Sequence, residues 1–171
     1  MENFTNQTLD VSSLPKFEEV QYNSLHPDYW KVCLLSMAIG FLILSGILAA
    51  VLIFAEEIHP YRIWIIAAAA FLFVSIFVFT LISFRKKGYA FRNHDVLFRS
   101  GLISTNTIVI PYNRIQHVAL HEGLISRYFG LAEIQIFTAG GKDSDIEIPG
   151  IEKPVAENIK QLLMGKIQKT L

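Results

Sequence analysis

The stretch PYNRIQHVALHEGLISRYFGLAEIQIFTAGG, residues 111–141, decides the fold of the region around it. Apolar and polar residues alternate along Ile115–Leu120 and again along Ala132–Phe137. A period of two is typical of strands that bury one face and expose the other. The stretch therefore predicts two β-strands, and it contains no obvious nucleophile.

The segment LISRYF, between Gly123 and Gly130, predicts a turn or a short 3₁₀ segment that joins these two strands. Arg127 is expected to donate hydrogen bonds to carbonyls at the strand ends, because a guanidinium carries five donors. A positive φ at Gly130 would make substitution there costly. Three apolar residues of the segment are expected in the core: Leu124, Ile125 and Phe129.

Short alternating runs continue on both sides of this stretch, separated by turn residues. Further strands are predicted within YAF, VLFRSGLI and TIVI before it, and at Ile146 and Ile148 after it. The predicted turns are Asn93–Asp95, Ser104–Asn106 and the pair Gly140 and Gly141, and Pro149–Gly150 is expected to stop the last strand. About six or seven short antiparallel strands are expected.

The end of the chain changes to the helical period of 3.6. One stripe of the predicted helix carries Val155, Ile159, Leu162, Leu163 and Ile167. Because a small antiparallel sheet has an apolar face to bury, a helix laid over its open end completes the core. The predicted domain is α+β and mainly β: a partly open barrel capped by a C-terminal helix.

Two segments without a charged residue precede this domain: Val32–Phe54 and Ile63–Phe84. As helices they would be roughly 33–35 Å long, enough to cross a hydrocarbon core of about 30 Å. Apolar residues make up 52% of the chain and charged residues only 18%, too apolar a balance for a soluble protein. The segments therefore predict a transmembrane helical hairpin. Its Cys33 is the single cysteine, which excludes a disulfide framework within one chain.

Lys and Arg residues are distributed unequally around the two predicted spans. Arg85, Lys86 and Lys87 follow the second span, whereas the loop between the spans holds Arg62 alone. Because cytoplasmic segments carry the excess of Lys and Arg, both termini are expected in the cytoplasm. Residues suited to the membrane interface flank the spans: Tyr29, Trp30 and Lys31 on one side, and Trp64 on the other.

We expect three parts: a polar, mostly irregular segment at residues 1–31, the hairpin at residues 32–84 and a cytoplasmic domain at residues 85–171. The domain is basic, with 12 Lys and Arg against 8 Asp and Glu. Without interleaved aromatic residues this excess is too weak to predict nucleic-acid binding. The expected location is the cell membrane, which the chain would cross twice.

Four motifs of the quoted stretch occur together in one known family: Arg114, Ile115-Gln116-His117-Val118, Arg127-Tyr128-Phe129-Gly130-Leu131 and Thr138-Ala139-Gly140. With the helix that follows, residues 85–168 resemble the membrane-flanked bacterial pleckstrin-homology-like (PH-like) domain. The resemblance implies two nearly orthogonal sheets with a C-terminal helix. It also implies membrane-protein partners, because some relatives carry several copies of the domain or occur beside a larger multi-copy membrane protein.

Two interpretations of Arg114, His117 and Arg127 remain open. They stabilise turns, or they bind a shared anion such as a lipid headgroup or a partner's carboxylate. His117 and His121 would lie about 13 Å apart on one strand face, too far to share a metal ion. The sequence therefore predicts no metal, no cofactor and no catalytic residue, since it also lacks a nucleophile elbow, a P-loop and paired catalytic carboxylates.

Two functions fit these observations. In the first, a non-enzymatic, membrane-anchored binding or assembly module contacts lipid headgroups or another membrane protein, such as a larger multi-copy PH-like relative or a second copy of itself. In the second, an accessory subunit of an envelope export, stress or peptide-immunity system acts mainly through its hairpin. Small residues such as Gly40 and Gly46 would pack that hairpin closely on itself or on a partner.

Overall fold

The structure, a computed structural model, describes residues 20–141 and 144–168, so the prediction for residues 1–19 lies outside it. In chain order the first elements are β1 (Asn23–Ser24), α1 (Tyr29–Phe54), a 3₁₀ turn (Glu56–Tyr61), α2 (Arg62–Lys86), β2 (Gly88–Phe91), β3 (Asp95–Ser100) and β4 (Asn106–Pro111). The remaining elements are a second 3₁₀ turn (Tyr112–Arg114), β5 (Ile115–His121), α3 (Leu124–Tyr128), β6 (Leu131–Thr138), β7 (Ile146–Glu152) and α4 (Lys153–Gln168).

Helices α1 and α2 form the hairpin that the charge-free segments predict. By length and composition both are able to cross a membrane, and none of the most apolar 18 residues of each is buried. Each helix includes its predicted span, and together they extend the hairpin to Tyr29 at one end and Lys86 at the other.

The two helices touch at Phe41 and Phe73, whose ring centroids are 4.1 Å apart. A Cβ added at Gly40 or Gly46 would meet nothing within 4 Å, so neither glycine serves close helix approach. The expectation that these glycines pack the hairpin tightly on itself is therefore wrong. The rings of Phe41 and Phe73 are tilted by 39° to each other, and a groove of about 570 Å³ lies between the helices beside Gly40.

The domain consists of two antiparallel sheets, the short helix α3 and the C-terminal helix α4, in agreement with the fold that the PH-like resemblance implies. One sheet has the strand order β1-β2-β3-β4 and the other has the order β5-β6-β7. Where the chain passes between them, Tyr112 is buried and its hydroxyl donates to the carbonyl of Arg92 at 2.5 Å. Alternation in β6 follows the prediction, because Ile134 and Ile136 are fully buried and the residue between them is not.

Helix α4 closes the core, but its buried stripe differs from the predicted one. The core-facing residues are Ala156 and Leu163, both fully buried, with Ile159 and Ile167 packed against the same cluster. Val155 and Leu162, predicted on the buried stripe, are exposed. The small side chain of Ala156 lets the helix approach the sheet closely, and this turns Val155 and Leu162 outward.

Strand β7 continues through Pro149 and Gly150, whereas the sequence predicts that this pair ends the strand. Two residues of β7, between Ile148 and Ile151, face one residue of β6. This β-bulge accommodates a proline that has no N–H and a glycine with a φ of +66°. The bulge therefore extends the last strand instead of stopping it.

Residues 20–31 are more ordered than the irregular segment that the sequence predicts. Strand β1 pairs antiparallel with β2, and Leu25 is buried in the core. A two-residue strand is too short to show alternation, so the sequence pattern gives no sign of it. Because β1 precedes α1 and β2 follows α2, both ends of the hairpin are tied into one sheet.

Candidate functional site at the junction of hairpin and domain

The first turn of α1 packs directly on the bulge of β7. A Cβ added at Gly150 would lie 2.5 Å from Cγ of Tyr29, so only glycine leaves room for the tyrosine ring. The same ring contacts Phe84 near the end of α2, with ring centroids 6.2 Å apart. Tyr29, expected in the interface belt, is thus half-buried between the domain and α2.

A backbone hydrogen bond makes a second tie at this point. The N–H of His26 donates to the carbonyl of Gly150 at 2.8 Å. Asp28 then forms an ion pair with Lys31 at 2.5 Å, and the hydrogen bond from Lys31 lowers the pKa of the Asp28 carboxyl. Together with the pairing of β1 and β2, the His26–Gly150 hydrogen bond fixes the domain at the end of both helices.

The three basic residues after the second predicted span take different positions. Arg85 and Lys86 are exposed, and Nζ of Lys86 donates to the carbonyl of Leu102 at 2.6 Å. This bond holds the β3–β4 loop beside the end of α2. Lys87 is half-buried and lines a cleft of about 340 Å³, which lies between α1, α2 and this loop.

Apolar side chains project from the same end of the domain. Ile103, in the loop that Lys86 holds, is 94% exposed. Helix α3 packs against α1, and its residues Leu124 and Tyr128 are 89% and 84% exposed. The prediction that Leu124 lies in the core is wrong, because a helix places residues four positions apart on one face, and here that face is the outer one. Ile103, Leu124 and Tyr128 are called the apolar rim below.

The three candidate anion ligands, Arg114, His117 and Arg127, are all exposed. His117 stacks on Phe137 of β6, with ring centroids 4.1 Å apart. Arg114 precedes β5 and Arg127 follows it, so a seven-residue strand, about 20 Å long, separates them. The structure keeps Arg114 and His117 near the start of β5 and places Arg127 beyond its other end.

The predicted turn glycines lie around α3 and in the β6–β7 turn. Gly130 has a φ of +67° and Gly141 a φ of +79°, both in the left-handed region. Gly123 precedes α3 with a φ of −63°, and Gly140 lies in the turn after β6. The carbonyl of Gly130 accepts a hydrogen bond from the N–H of Lys153 at 3.0 Å, which joins α3 to the start of α4.

Within residues 20–141 and 144–168, no group of three His, Cys, Asp or Glu side chains is placed to hold a metal ion. His117 and His121 are exposed on β5, and Cys33 lies in α1 as a free thiol. Trp30 and Trp64 are exposed at opposite ends of the hairpin. Their positions suit rings that sit at the two surfaces of a bilayer.

Sequence reasoning missed the cleft at Lys87, because three segments far apart in the chain form it: residues 29–33, residues 76–87 and Leu102. From the sequence, Lys87 is a topology and membrane-interface residue beside anionic lipid. The spacing of Thr80, Ser83 and Lys87 could have revealed the cleft. Positions three and four apart share one helix face, so the hydroxyls of Thr80 and Ser83 lie along α2 in line with Lys87, the residue that follows the helix.

Comparison with known proteins identifies the family. The model of the family described as Bacterial PH domain matches residues 9–167. The UPF0699 transmembrane protein YdbS of Bacillus subtilis (strain 168) is 27% identical over 142 residues, which make up 81% of this chain and 87% of that protein. The UPF0699 transmembrane protein YdbT of the same organism is 29% identical over 109 residues, or 63% of this chain and 22% of that protein. No solved structure matches.

The family match extends across the hairpin as well as the domain. Both relatives carry the name of a transmembrane protein, in agreement with the two long apolar helices of this chain. The two sheets and the C-terminal helix agree with the PH-like fold that the motifs imply. The chain is therefore a membrane-associated PH-like protein and belongs to the bacterial PH domain family.

Proposed function

We propose that the chain is a non-enzymatic, membrane-anchored module that binds and assembles with other membrane proteins at the cytoplasmic face of the cell membrane. The junction carries this proposal, because the β1–β2 pairing, the His26–Gly150 hydrogen bond and the Tyr29–Gly150 contact attach the domain rigidly to the hairpin. A domain held in this way presents one constant surface to its neighbours. Weak contacts then suffice, since proteins in the same membrane have a high effective concentration.

The proposed topology has two spans with both termini in the cytoplasm. Its support is the excess of basic residues at the domain end, where Arg85, Lys86 and Lys87 lie, over Arg62 at the other end. Each Lys or Arg near an anionic leaflet adds about 1 kcal/mol of attraction. The apolar rim supports contact of this end of the domain with the membrane, because lipid at this level would cover side chains that are otherwise exposed. We divide the chain into the hairpin, residues 32–84, and the domain, residues 85–171, to which residues 20–31 contribute a strand.

The interior of the domain supports a non-enzymatic role. Apart from tyrosines, Thr138 is the buried polar side chain among the described residues, and its hydroxyl shares a hydrogen bond of 2.5 Å with Ser144. An active site needs a nucleophile or a base held in a pocket that excludes water. An interior of aliphatic and aromatic side chains offers packing instead.

The partners that we propose are a second copy of this chain or a larger PH-like relative. Two exposed faces are available to them: the outer face of β5–β7, with His117 stacked on Phe137, and the outer face of α4, with Val155 and Leu162. The match to 22% of YdbT supports the larger relative, since a related segment there belongs to a much longer transmembrane protein.

The alternative function, an accessory subunit of an envelope export, stress or peptide-immunity system, acts mainly through the hairpin. The apolar groove beside Gly40 favours it, because a helix of another protein would cover surface that α1 and α2 leave open. In that case the domain would only anchor the hairpin in the correct orientation.

Site-specific photocrosslinking in intact cells separates the two functions. A photoreactive phenylalanine analogue replaces His117 or Leu162 on the domain, or Leu44 in the groove, in otherwise unchanged full-length chains. If the chain is the proposed module, protein adducts form at a domain position. These adducts persist when residues 37–80 are exchanged for an unrelated apolar hairpin. Adducts at Leu44 alone would support the alternative, and the absence of any protein adduct would contradict both.

A further inference from the structure

The cleft beside Lys87 has a polar end and an apolar end. Lys87, Ser83 and Thr80 line it near the domain, and Phe79 and Ile76 line it further along α2. Ile76, Thr80 and Ser83 are three or four positions apart and share one face of α2, with Phe79 beside Thr80 and Lys87 directly after the last helical residue. From Ile76 to Lys86, where α2 ends, the helix rises by about 15 Å, which is roughly half of a hydrocarbon core of about 30 Å.

The apolar end of the cleft adjoins the groove between the two helices. Ile76 lines both cavities. The groove continues from there past Phe73 and Ala69, with Gly40 on the facing helix, and its volume is about 570 Å³. The two cavities therefore adjoin at Ile76, with a cation at the far end of one and apolar side chains along the other.

Two donors at the polar end lack an acceptor, whereas the hydroxyl of Thr80 donates to the carbonyl of Ile76 at 2.8 Å. The ammonium of Lys87 and the hydroxyl of Ser83 form no hydrogen bond or ion pair with any other side chain in the described part of the chain. Lys87 is half-buried, whereas Arg85, two residues earlier, is exposed. Partial burial removes water from an ammonium, and an anionic acceptor offsets that cost.

We propose that the cleft binds one phospholipid of the cytoplasmic leaflet. Its phosphodiester lies at Lys87 and Ser83, and one acyl chain runs past Ile76 into the groove. The inference rests on the proposed function, which embeds the hairpin in the membrane. A phosphodiester supplies a charged acceptor for both donors. An anionic lipid is preferred over a zwitterionic one, since its headgroup contains no cation that competes with Lys87.

Free phosphate offers the same chemistry at the polar end of the cleft. The apolar end distinguishes the two sources, because a soluble anion would leave Phe79, Ile76 and the groove uncovered. A lipid matches both ends, with its headgroup at the level of Lys87 and its chain at the depth of Ile76. The ligand of the cleft is therefore a lipid and not a free anion.

Native mass spectrometry of the full chain in mild detergent tests the site. The chain is depleted of lipid and titrated with dioleoylphosphatidylglycerol, and in parallel with dioleoylphosphatidylcholine and with inorganic phosphate. Lys87→Gln removes the half-buried cation, and Arg85→Gln is the matched control because it removes an exposed one. We expect the wild type and Arg85→Gln to bind one phosphatidylglycerol equally well, and Lys87→Gln to bind it about tenfold more weakly or worse.

Three results would overturn the inference. An equal loss in both variants would indicate attraction to surface charge alone. Displacement of the lipid by millimolar phosphate would show that the cleft recognises a soluble anion. Equal affinity for phosphatidylcholine and phosphatidylglycerol would show that the negative charge of the lipid is not recognised.

Alkaline carbonate extraction of membranes that contain the same variants distinguishes a failure of the lipid site from a failure of the proposed function. Release of the wild type from the membranes would contradict the proposed function itself. A chain that stays in the membranes but binds no phosphatidylglycerol would overturn only the lipid site.

Discussion

In the hairpin most apolar side chains face outward, whereas in the domain they face inward. Leu42 on α1 is 72% exposed, and the two helices leave a groove between them. Leu163 and Ile134 in the domain are fully buried among neighbouring strands. A bilayer surrounds the hairpin with apolar material and offers no hydrogen-bond partner to its backbone, so the helices satisfy their own backbone groups. Close packing of side chains stabilises the domain. The comparison shows that Gly150 and Tyr29 join two parts that depend on different forces.

The strongest test of this comparison removes a large side chain from each part. Leu163→Ala in the domain should lower the free energy of unfolding by about 2–5 kcal/mol, because it leaves a cavity in a packed core. Leu42→Ala on the outer face of α1 should change it by about 0.5 kcal/mol or less, as at other positions without packed neighbours. Urea-dependent proteolysis of the detergent-solubilised full chain measures both, and equal losses would remove the distinction between the two parts.

A second test addresses the junction with two matched glycines. Gly150 and Gly130 have φ values of +66° and +67°, so alanine at either should cost about 1 kcal/mol for the backbone alone. A Cβ at Gly130 meets nothing within 4 Å, but at Gly150 it meets Tyr29 and should add about 1–3 kcal/mol of overpacking.

The difference between these variants appears in the same proteolysis assay. Tyr29→Ala should cost less in the Gly150→Ala background than in the wild type, because the clash disappears with the ring. If Gly150→Ala and Gly130→Ala lose equal stability and the double mutant is additive, the junction contact is absent.

A smaller effect is expected inside the domain at Tyr112. Tyr112→Phe removes the hydrogen bond to the carbonyl of Arg92 and should cost about 0.5–1.5 kcal/mol near neutral pH. Burial raises the pKa of Tyr112 above its usual value of 10.0. Its contribution is therefore complete below pH 10 and is lost as the pH rises through the folded-state pKa.

Thermal melts at pH 8 and at alkaline pH measure this dependence. The variant should lose less stability than the wild type between these two pH values. Part of the alkaline loss remains in the variant, because burial also raises the pKa of Tyr89, which both proteins contain. An identical alkaline loss in both proteins would contradict the role assigned to Tyr112.

The smallest effect is expected at the start of the hairpin. Asp28→Asn removes the exposed ion pair with Lys31, which lowers the pKa of Asp28 from its usual 3.8. A lowered pKa stabilises the folded state above pH 3.8, and this contribution disappears as the pH falls through the folded-state pKa. The melting temperature of the variant should be slightly below that of the wild type at pH 7 and equal to it near pH 2. A difference that persists in acid would show that the ion pair is not its cause.

Local patterns predicted those parts of the fold that depend on local physics. The charge-free spans and the alternation of Ile134 and Ile136 required no knowledge of distant residues. The path of β7 was missed because Pro149–Gly150 resembles a stop signal, and its role becomes visible only when Tyr29 occupies the space beside Gly150. The orientation of α4 about its axis was missed, because a period of 3.6 does not decide which of two neighbouring stripes faces the core. The small Ala156, which is buried against the sheet, decides it.

The candidate sites were less predictable than the fold. The sequence identified the basic residues after the second span. It did not reveal that Lys86 holds a loop or that Lys87 lines a cleft. Exposure of Leu124 depends on where α3 meets α1, a contact between residues about 90 positions apart in the chain. Such sites arise from tertiary contacts, so the residue types alone do not reveal them.

The central claim is that the junction holds the domain in one fixed position relative to the hairpin. Spin labels at Leu42 and Glu157, in a Cys33→Ser background in lipid nanodiscs, allow the distance between hairpin and domain to be measured by double electron–electron resonance. We predict one narrow distance distribution for the otherwise unchanged chain and a broad one after Gly150→Ala. A broad distribution in the otherwise unchanged chain would contradict the claim.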